Sequence, residues 1–145
     1  MMQNKQFATI GSDVPRLDGW EKVTGKAQYI GDIRTQGAWI GGTLRSPVAR
    51  GSLRSIRKDD AFDWSKVVCL TAKDLPGPNS VAMVRDDLPI LAADEIRFAT
   101  QPLALVAAPD SETLAEALRR LYADIEELSP VLTIEDSVSL KEIAY

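Results

Sequence analysis

No histidine occurs in this sequence, and cysteine occurs once, at Cys69. The first absence removes the commonest general base near neutral pH and the commonest metal ligand. Serine–histidine and cysteine–histidine catalysis are excluded within the chain. With a single cysteine, a zinc site has no ligand set and an internal disulfide is impossible. Cys69 lies in the apolar run VVCLTA, with no neighbouring base to activate it, so it reads as a small hydrophobe. No apolar run approaches the length of a membrane span. The first ten residues, MMQNKQFATI, lack the apolar core and small-residue cleavage site of a secretory leader. These absences point to a cytoplasmic protein.

Basic runs are also missing, and the net charge is -4, so nucleic acid is not expected as a partner. The densest positive cluster is LRSPVARGSLRSIRK, with Arg45, Arg50, Arg54, Arg57 and Lys58. It reads as a solvated face or a protein contact, ahead of a site for an anionic small molecule. Neither GxGxxG nor GxxxxGK[ST] occurs, so no phosphate cradle is signalled. The carboxylate pairs Asp59-Asp60, Asp86-Asp87 and Asp94-Glu95 flank turns and read as solvated loop acids. None has the alternating ligands of a calcium loop. Tyr29, Tyr122 and Tyr145 could donate hydrogen bonds, and the first two read as packed rings with surface hydroxyls.

What is present is ordinary for one folded domain of 145 residues: 45% hydrophobic and 26% charged. Residues 1–14 read as a flexible lead and 15–145 as a single domain. KAQYIGDI predicts a short strand through Ala27, Tyr29 and Ile30, with a bulge or turn at Gly31. AWIGGTLRS predicts a second strand, interrupted by its glycine pair. GSLRSIRK predicts a half-exposed third, with Leu53 and Ile56 inward. DDAFDWSK predicts a helical turn with Ala61, Phe62 and Trp64 inward. KVVCLTAKDL is short, apolar and β-branched, the pattern of a buried strand. LPGPNS is a loop, and 81–93 an extended one. EIRFATQPLALVAAP predicts two strands about a turn at Thr100-Gln101-Pro102. Gln101 there either presents its amide to a ligand or satisfies backbone groups that the turn leaves open; the second is favoured.

The clearest element is DSETLAEALRRLYADI. Leu114, Ala117, Leu118, Leu121 and Ile125 fall on one stripe and predict a long amphipathic helix over about 111–124. Asp110 is its N-cap, Glu112 lies in its first turn, and Glu116–Arg120 forms an i,i+4 pair. DIEELSPVLTI then returns to a strand with Val131 and Ile134 inward. Ser139 and Glu142 have capping-box spacing, so a last helix starts there and the chain stops within it, as a longer protein would if cut. The fold class is α+β, mostly β with one strong helix.

Several segments, in this order, resemble the large subunits of molybdenum hydroxylases, the xanthine dehydrogenase and aldehyde oxidase family. PRLDGWEKVTGKAQYIGDI (Arg16, Asp18, Gly25, Tyr29, Asp32) resembles the family's opening. LRSPVARG (Arg45, Ser46, Pro47) resembles its arginine-serine-proline turn. VVCLTAKDLPGPN (Asp74, Pro76, Gly77) resembles its strand and proline-glycine loop. LPILAADEIRFATQPLALVAA (Gln101, Pro102) resembles the segment ending in a glycine-glutamine-proline turn, and ETLAEALRRLYADIEELSPV the closing helix and strand. The resemblance covers roughly residues 11–140. It implies an α/β-hammerhead domain in which these residues are structural and none is catalytic, cofactor-binding or metal-binding. The molybdopterin cofactor would lie in later domains of the large subunit, and iron–sulfur clusters, with or without FAD, in other domains or subunits. Those would be this domain's partners, in an enzyme that hydroxylates aldehydes or N-heterocycles. The alternative is a stand-alone interaction module derived from this fold. Three departures stand out. Thr100 replaces the usual glycine, which would strain it if the turn needs a positive φ. Arg50 replaces a common histidine, and Ser129 interrupts a leucine-proline pair.

Overall fold

The computed structural model describes residues 11, 13–33, 35–81, 84 and 87–141. The chain divides into two units, Met1–Gln36 and Gly37–Tyr145.

In the first unit, helix α1 (Gly19–Val23) is a single turn. It is too short to leave a periodic signal in sequence. Gly19 opens the helix, and Gly25 follows its C-cap at φ 69°. Asp18 accepts from Arg16 and pairs with Lys22 at 2.8 Å, so Arg16 and Asp18 brace the first turn. The strand expected in KAQYIGDI is not formed. Ile30–Asp32 is instead a 3-10 turn. The physical reason is local: the Asp32 carboxylate accepts from the Tyr29 N–H at 3.0 Å, and no described strand pairs with this segment. Tyr29 and Ile30 are exposed. Most of the lead at 1–14 lies outside the described residues.

The second unit holds two three-stranded antiparallel sheets. Strands β1 (Ile40–Arg45), β5 (Pro102–Ala108) and β3 (Val68–Leu70) form the first, in the order β1-β5-β3. Strands β4 (Glu95–Ile96), β2 (Gly51–Lys58) and β6 (Leu121–Glu127) form the second, in the order β4-β2-β6. Helix α2 (Ser111–Arg119) lies over one face of the first sheet. Beneath it are Val67, Val106, Ala108 and Leu121. Leu53, Ala92, Ile96 and Leu103 form the second core cluster, and Leu44 and Ile56 touch both.

The helix start is as the sequence predicts. Asp110 accepts from the Thr113 N–H and hydroxyl, each at 2.8 Å. Its end is not. The helix stops at Arg119, and LYADIEE is strand β6, not a continuation to 124. Leu121 and Ile125 satisfy the helical stripe and the strand alternation equally, and pairing with β2 decides for the strand. Arg120 marks the break. It donates to Asp59 at 2.7 Å and to Glu116 at 2.8 Å, and its carbonyl accepts from the Asp59 N–H. Asp59 therefore clasps the end of β2 to the end of α2.

Phe62 and Trp64 turn inward as expected and meet edge to face at 4.9 Å, but Ala61 is exposed. β3 is shorter and less buried than its sequence predicts, with Val68 and Leu70 both partly in solvent. Among its described residues the loop at 81–93 carries one bridge, Val81–Leu88. Asn79 staples its far end through both amide atoms to the Leu91 backbone, at 2.7 and 3.0 Å. The last helix, α3 (Ile134–Leu140), starts earlier than the Ser139–Glu142 spacing predicts. Thr133 is the cap and accepts from the Asp136 N–H at 3.0 Å. Glu142 and Tyr145 lie outside the described residues. Ile134, expected inward in a strand, is exposed on this helix, and Val131 is half-buried in irregular chain.

These bonds contribute to the acid stability. Hydrogen bonds hold the carboxyls of Asp59 (from Arg120), Asp110 (from the Thr113 backbone) and Asp74 (from the Thr71 backbone) below their ordinary value of 3.8. A lowered folded value means that the unfolded chain binds more protons in acid. The stabilisation is whole above about pH 4 and is lost as pH falls through the folded values. The urea midpoint should be flat from neutral pH to about pH 5 and drop below about pH 4. The double variant Asp59→Asn, Asp110→Asn should start lower and show a shallower acid slope. A midpoint unchanged into strong acid would contradict this.

Candidate functional site

The sequence singles out four groups of residues, and the fold brings two of them together. LRSP and TQP, far apart in the chain, meet at one corner where β1 pairs with β5. The Ser46 N–H donates to the Gln101 carbonyl at 2.9 Å, and the Thr100 N–H donates to the Ser46 carbonyl at 3.0 Å. Arg45 reaches the Thr100 carbonyl at 3.0 Å. The Ser46 hydroxyl donates to the Val48 carbonyl at 2.8 Å and accepts from its N–H, shaping the turn after Pro47. Asp74 stays local. It accepts from the Thr71 N–H and hydroxyl, each at 2.8 Å, and holds the 3-10 turn before Pro76 and Gly77. Arg16, Asp18, Gly25, Tyr29 and Asp32 remain in the first unit.

Gln101 is 1% exposed. Its Oε1 accepts from the Arg97 N–H at 2.7 Å, which is the backbone-satisfying role favoured from sequence. Its Nε2 is buried without a partner among the described residues. Thr100 sits at φ 67°, so the conformation that glycine would favour is kept without the glycine. Such a residue is strained by about 1–2 kcal/mol. Thr100→Gly should raise stability by about 1 kcal/mol, read from the shift in denaturant midpoint. An unchanged or lower midpoint would mean that a side-chain contact offsets the strain.

The other two departures meet each other. Arg50 donates to the Ser129 carbonyl at 3.4 Å, and the Leu128 N–H donates to the Arg50 carbonyl at 3.0 Å. The basic cluster seen in sequence is thus dispersed. Arg45 serves the corner and Arg50 the Ser129 segment. Arg54 pairs with Glu126 at 2.7 Å, and Lys58 lies over the Trp64 ring at 5.3 Å. Arg57 faces Tyr122 across β2 and β6.

Sequence reasoning did not find one surface feature. The face of the first sheet away from α2 presents Gly41 and Thr43 from β1, Leu105 and Ala107 from β5, and Val68 and Leu70 from β3. They line an open apolar hollow of about 340 Å³. Among the described residues no group of His, Cys, Asp and Glu could hold a metal ion. Thr43 carries the one polar side chain in the hollow. These residues do not fit a metal–pterin group, having neither ligands for the metal nor a cationic cradle for its phosphate. Cys69 points to the helix side of the sheet, and burial pushes its thiol up.

A family model described as "Aldehyde oxidase and xanthine dehydrogenase, a/b hammerhead domain" matches residues 24–129. The chain belongs to this family. It is 33% identical over 114 residues to a probable xanthine dehydrogenase subunit of Bacillus subtilis, covering 78% of this chain and 15% of that protein. It is 29% identical over 133 residues to the large molybdopterin subunit of nicotinate dehydrogenase from Eubacterium barkeri, covering 90% of this chain and 31% of that subunit. Among solved structures, reconstituted CO dehydrogenase from Oligotropha carboxidovorans matches with a TM-score of 0.76 at 28% identity, over 88% of this chain and 16% of that one. The α/β-hammerhead fold implied by the sequence resemblance is therefore the fold of the chain. This hammerhead chain spans less than a third of the length of these curated relatives. No helix among the described residues is long and apolar enough to cross a membrane.

Proposed function

We propose that this chain is a non-catalytic structural domain of a molybdenum-dependent oxidoreductase of the xanthine dehydrogenase and aldehyde oxidase type. One observation carries the reading: the hammerhead match runs through most of the chain, and its relatives are several times longer. The whole enzyme hydroxylates an aldehyde or an N-heterocycle with oxygen from water. Molybdopterin is held by other domains of the large subunit. Electrons leave through iron–sulfur clusters, with or without FAD as a further carrier in the assembly. The residues at the LRSP–TQP corner shape the domain and touch no substrate. The assembly works in the cytoplasm, and the domain's partners are the rest of the large subunit and the iron–sulfur and flavin domains or subunits.

The geometry supports this division of labour. At the corner, Arg45, the Ser46 hydroxyl and Gln101 Oε1 bond to the chain's own backbone, and the hollow on the first sheet is apolar. The 145-residue chain, purified from cells that make the cofactor, should fold, hold no molybdenum by elemental analysis and turn over no aldehyde or N-heterocycle. Stoichiometric molybdenum in that preparation would overturn the assignment.

A further inference from the structure

The two sheets have outer faces of opposite character. The second sheet shows Arg54, Arg57, Tyr122, Asp124 and Glu126 outward, an ordinary solvated face. The first shows Val68 at 45%, Leu70 at 38% and Leu105 at 39% exposure, with Gly41, Thr43 and Ala107 between them. Its central strand, PLALVAA, contains no polar side chain. That is the composition of a strand covered on both faces. Helix α2 covers one: a Cβ built on Gly42 would come within 3.3 Å of Leu114 and 3.1 Å of Leu118. On the other side Gly41 meets nothing closer than a backbone oxygen at 4.0 Å. The sequence is thus written for a second cover that the described residues of the second unit do not supply.

We infer that this bare face is the seat of an uncharged, apolar element from the same longer polypeptide, with one large side chain lowered into the hollow over Gly41. This rests on the reading that the domain is part of a larger subunit. Area argues for a tethered occupant over a second copy. Three strands at sheet spacing, with two outward residues each, offer on the order of 200 Å². A stable complex between separate molecules needs ~800 Å² from each partner. A tethered element acts at an effective concentration in the mM range and needs far less. With Thr43 as the one polar side chain there, recognition is by shape and apolar burial.

The test compares Leu105→Glu in the 145-residue chain and in the native long polypeptide. The short chain should keep its melting temperature and stay monomeric, because the new carboxylate faces water. The long polypeptide should melt at least ~5 °C lower or fail to assemble. Gly41→Ala, which adds one methyl to open space, should be silent in the short chain and destabilising in the long one, and it stands in if the glutamate variant does not fold. In a Cys69→Ala background, the thiol of Leu105→Cys should react with maleimide at least ten-fold slower in the long polypeptide. Neutral substitutions and an equally reactive thiol in both chains would overturn the inference while leaving the parent reading intact. A short chain that dimerises and loses the dimer on Leu105→Glu would assign the face to a second copy and also overturn it. If cells contain only a 145-residue product, the parent reading itself fails.

Discussion

Gln101→Ala should lower the folding free energy by about 3 kcal/mol, one of the two largest losses expected from a single change outside the aliphatic core. The side chain is fully buried and makes one strong contact, accepting from the Arg97 N–H at 2.7 Å. Truncation leaves that N–H without its acceptor, at about 1–3 kcal/mol, and opens a cavity on top of it. The same residue carries a liability, because its Nε2 has no partner among the described residues. Gln101→Met separates the two effects. It keeps most of the volume, loses the acceptor and removes the stranded amide, so it should cost only about 1 kcal/mol. Equilibrium denaturation of both variants is the measurement. A loss under about 1 kcal/mol for the alanine variant would show that the corner does not depend on this amide.

Gly51→Ala should cost about 2–3 kcal/mol although it adds a single methyl. Gly51 opens β2, the central strand of its sheet, paired to Ile96 on one side and Glu127 on the other. A Cβ there would lie 2.8 Å from the Glu126 carbonyl oxygen and 2.9 Å from Ile125 Cγ2. The oxygen belongs to a paired strand and cannot step aside without breaking the ladder. Gly41→Ala on β1 is the control, since its methyl would enter open space. Equal denaturant midpoints for the two variants would refute the packing argument.

Much of the fold was legible because local chemistry and periodicity agreed. Asp110 caps α2, Glu116 pairs with Arg120, and Leu53 and Ile56 turn inward from β2. The misreadings have physical causes. Leu121 and Ile125 fit periods of 3.6 and 2.0 alike, and only the β2 pairing separates them. KAQYIGDI has strand composition, but Asp32 satisfies the backbone locally. Thr133 competes with Ser139 as a cap, and the structure takes the earlier one. The LRSP and TQP motifs were visible one at a time, but their meeting at the Ser46–Gln101 hydrogen bonds is tertiary and leaves no spacing signal. The strain at Thr100 was legible only through the family resemblance, whose usual glycine raised a positive φ as a condition that the structure meets. The bare face was hidden for another reason. An apolar run such as KVVCLTA reads the same whether its cover is the chain's own helix or another element.

The measurement that bears most directly on the domain's place in a larger enzyme is the size of the native polypeptide, by immunoblot of source cells with an antibody to this domain. A band several times larger than 15.9 kDa is expected, and it would place the domain inside a long oxidoreductase subunit. A single band at 15.9 kDa would contradict that and leave a stand-alone interaction module whose partner meets the apolar face.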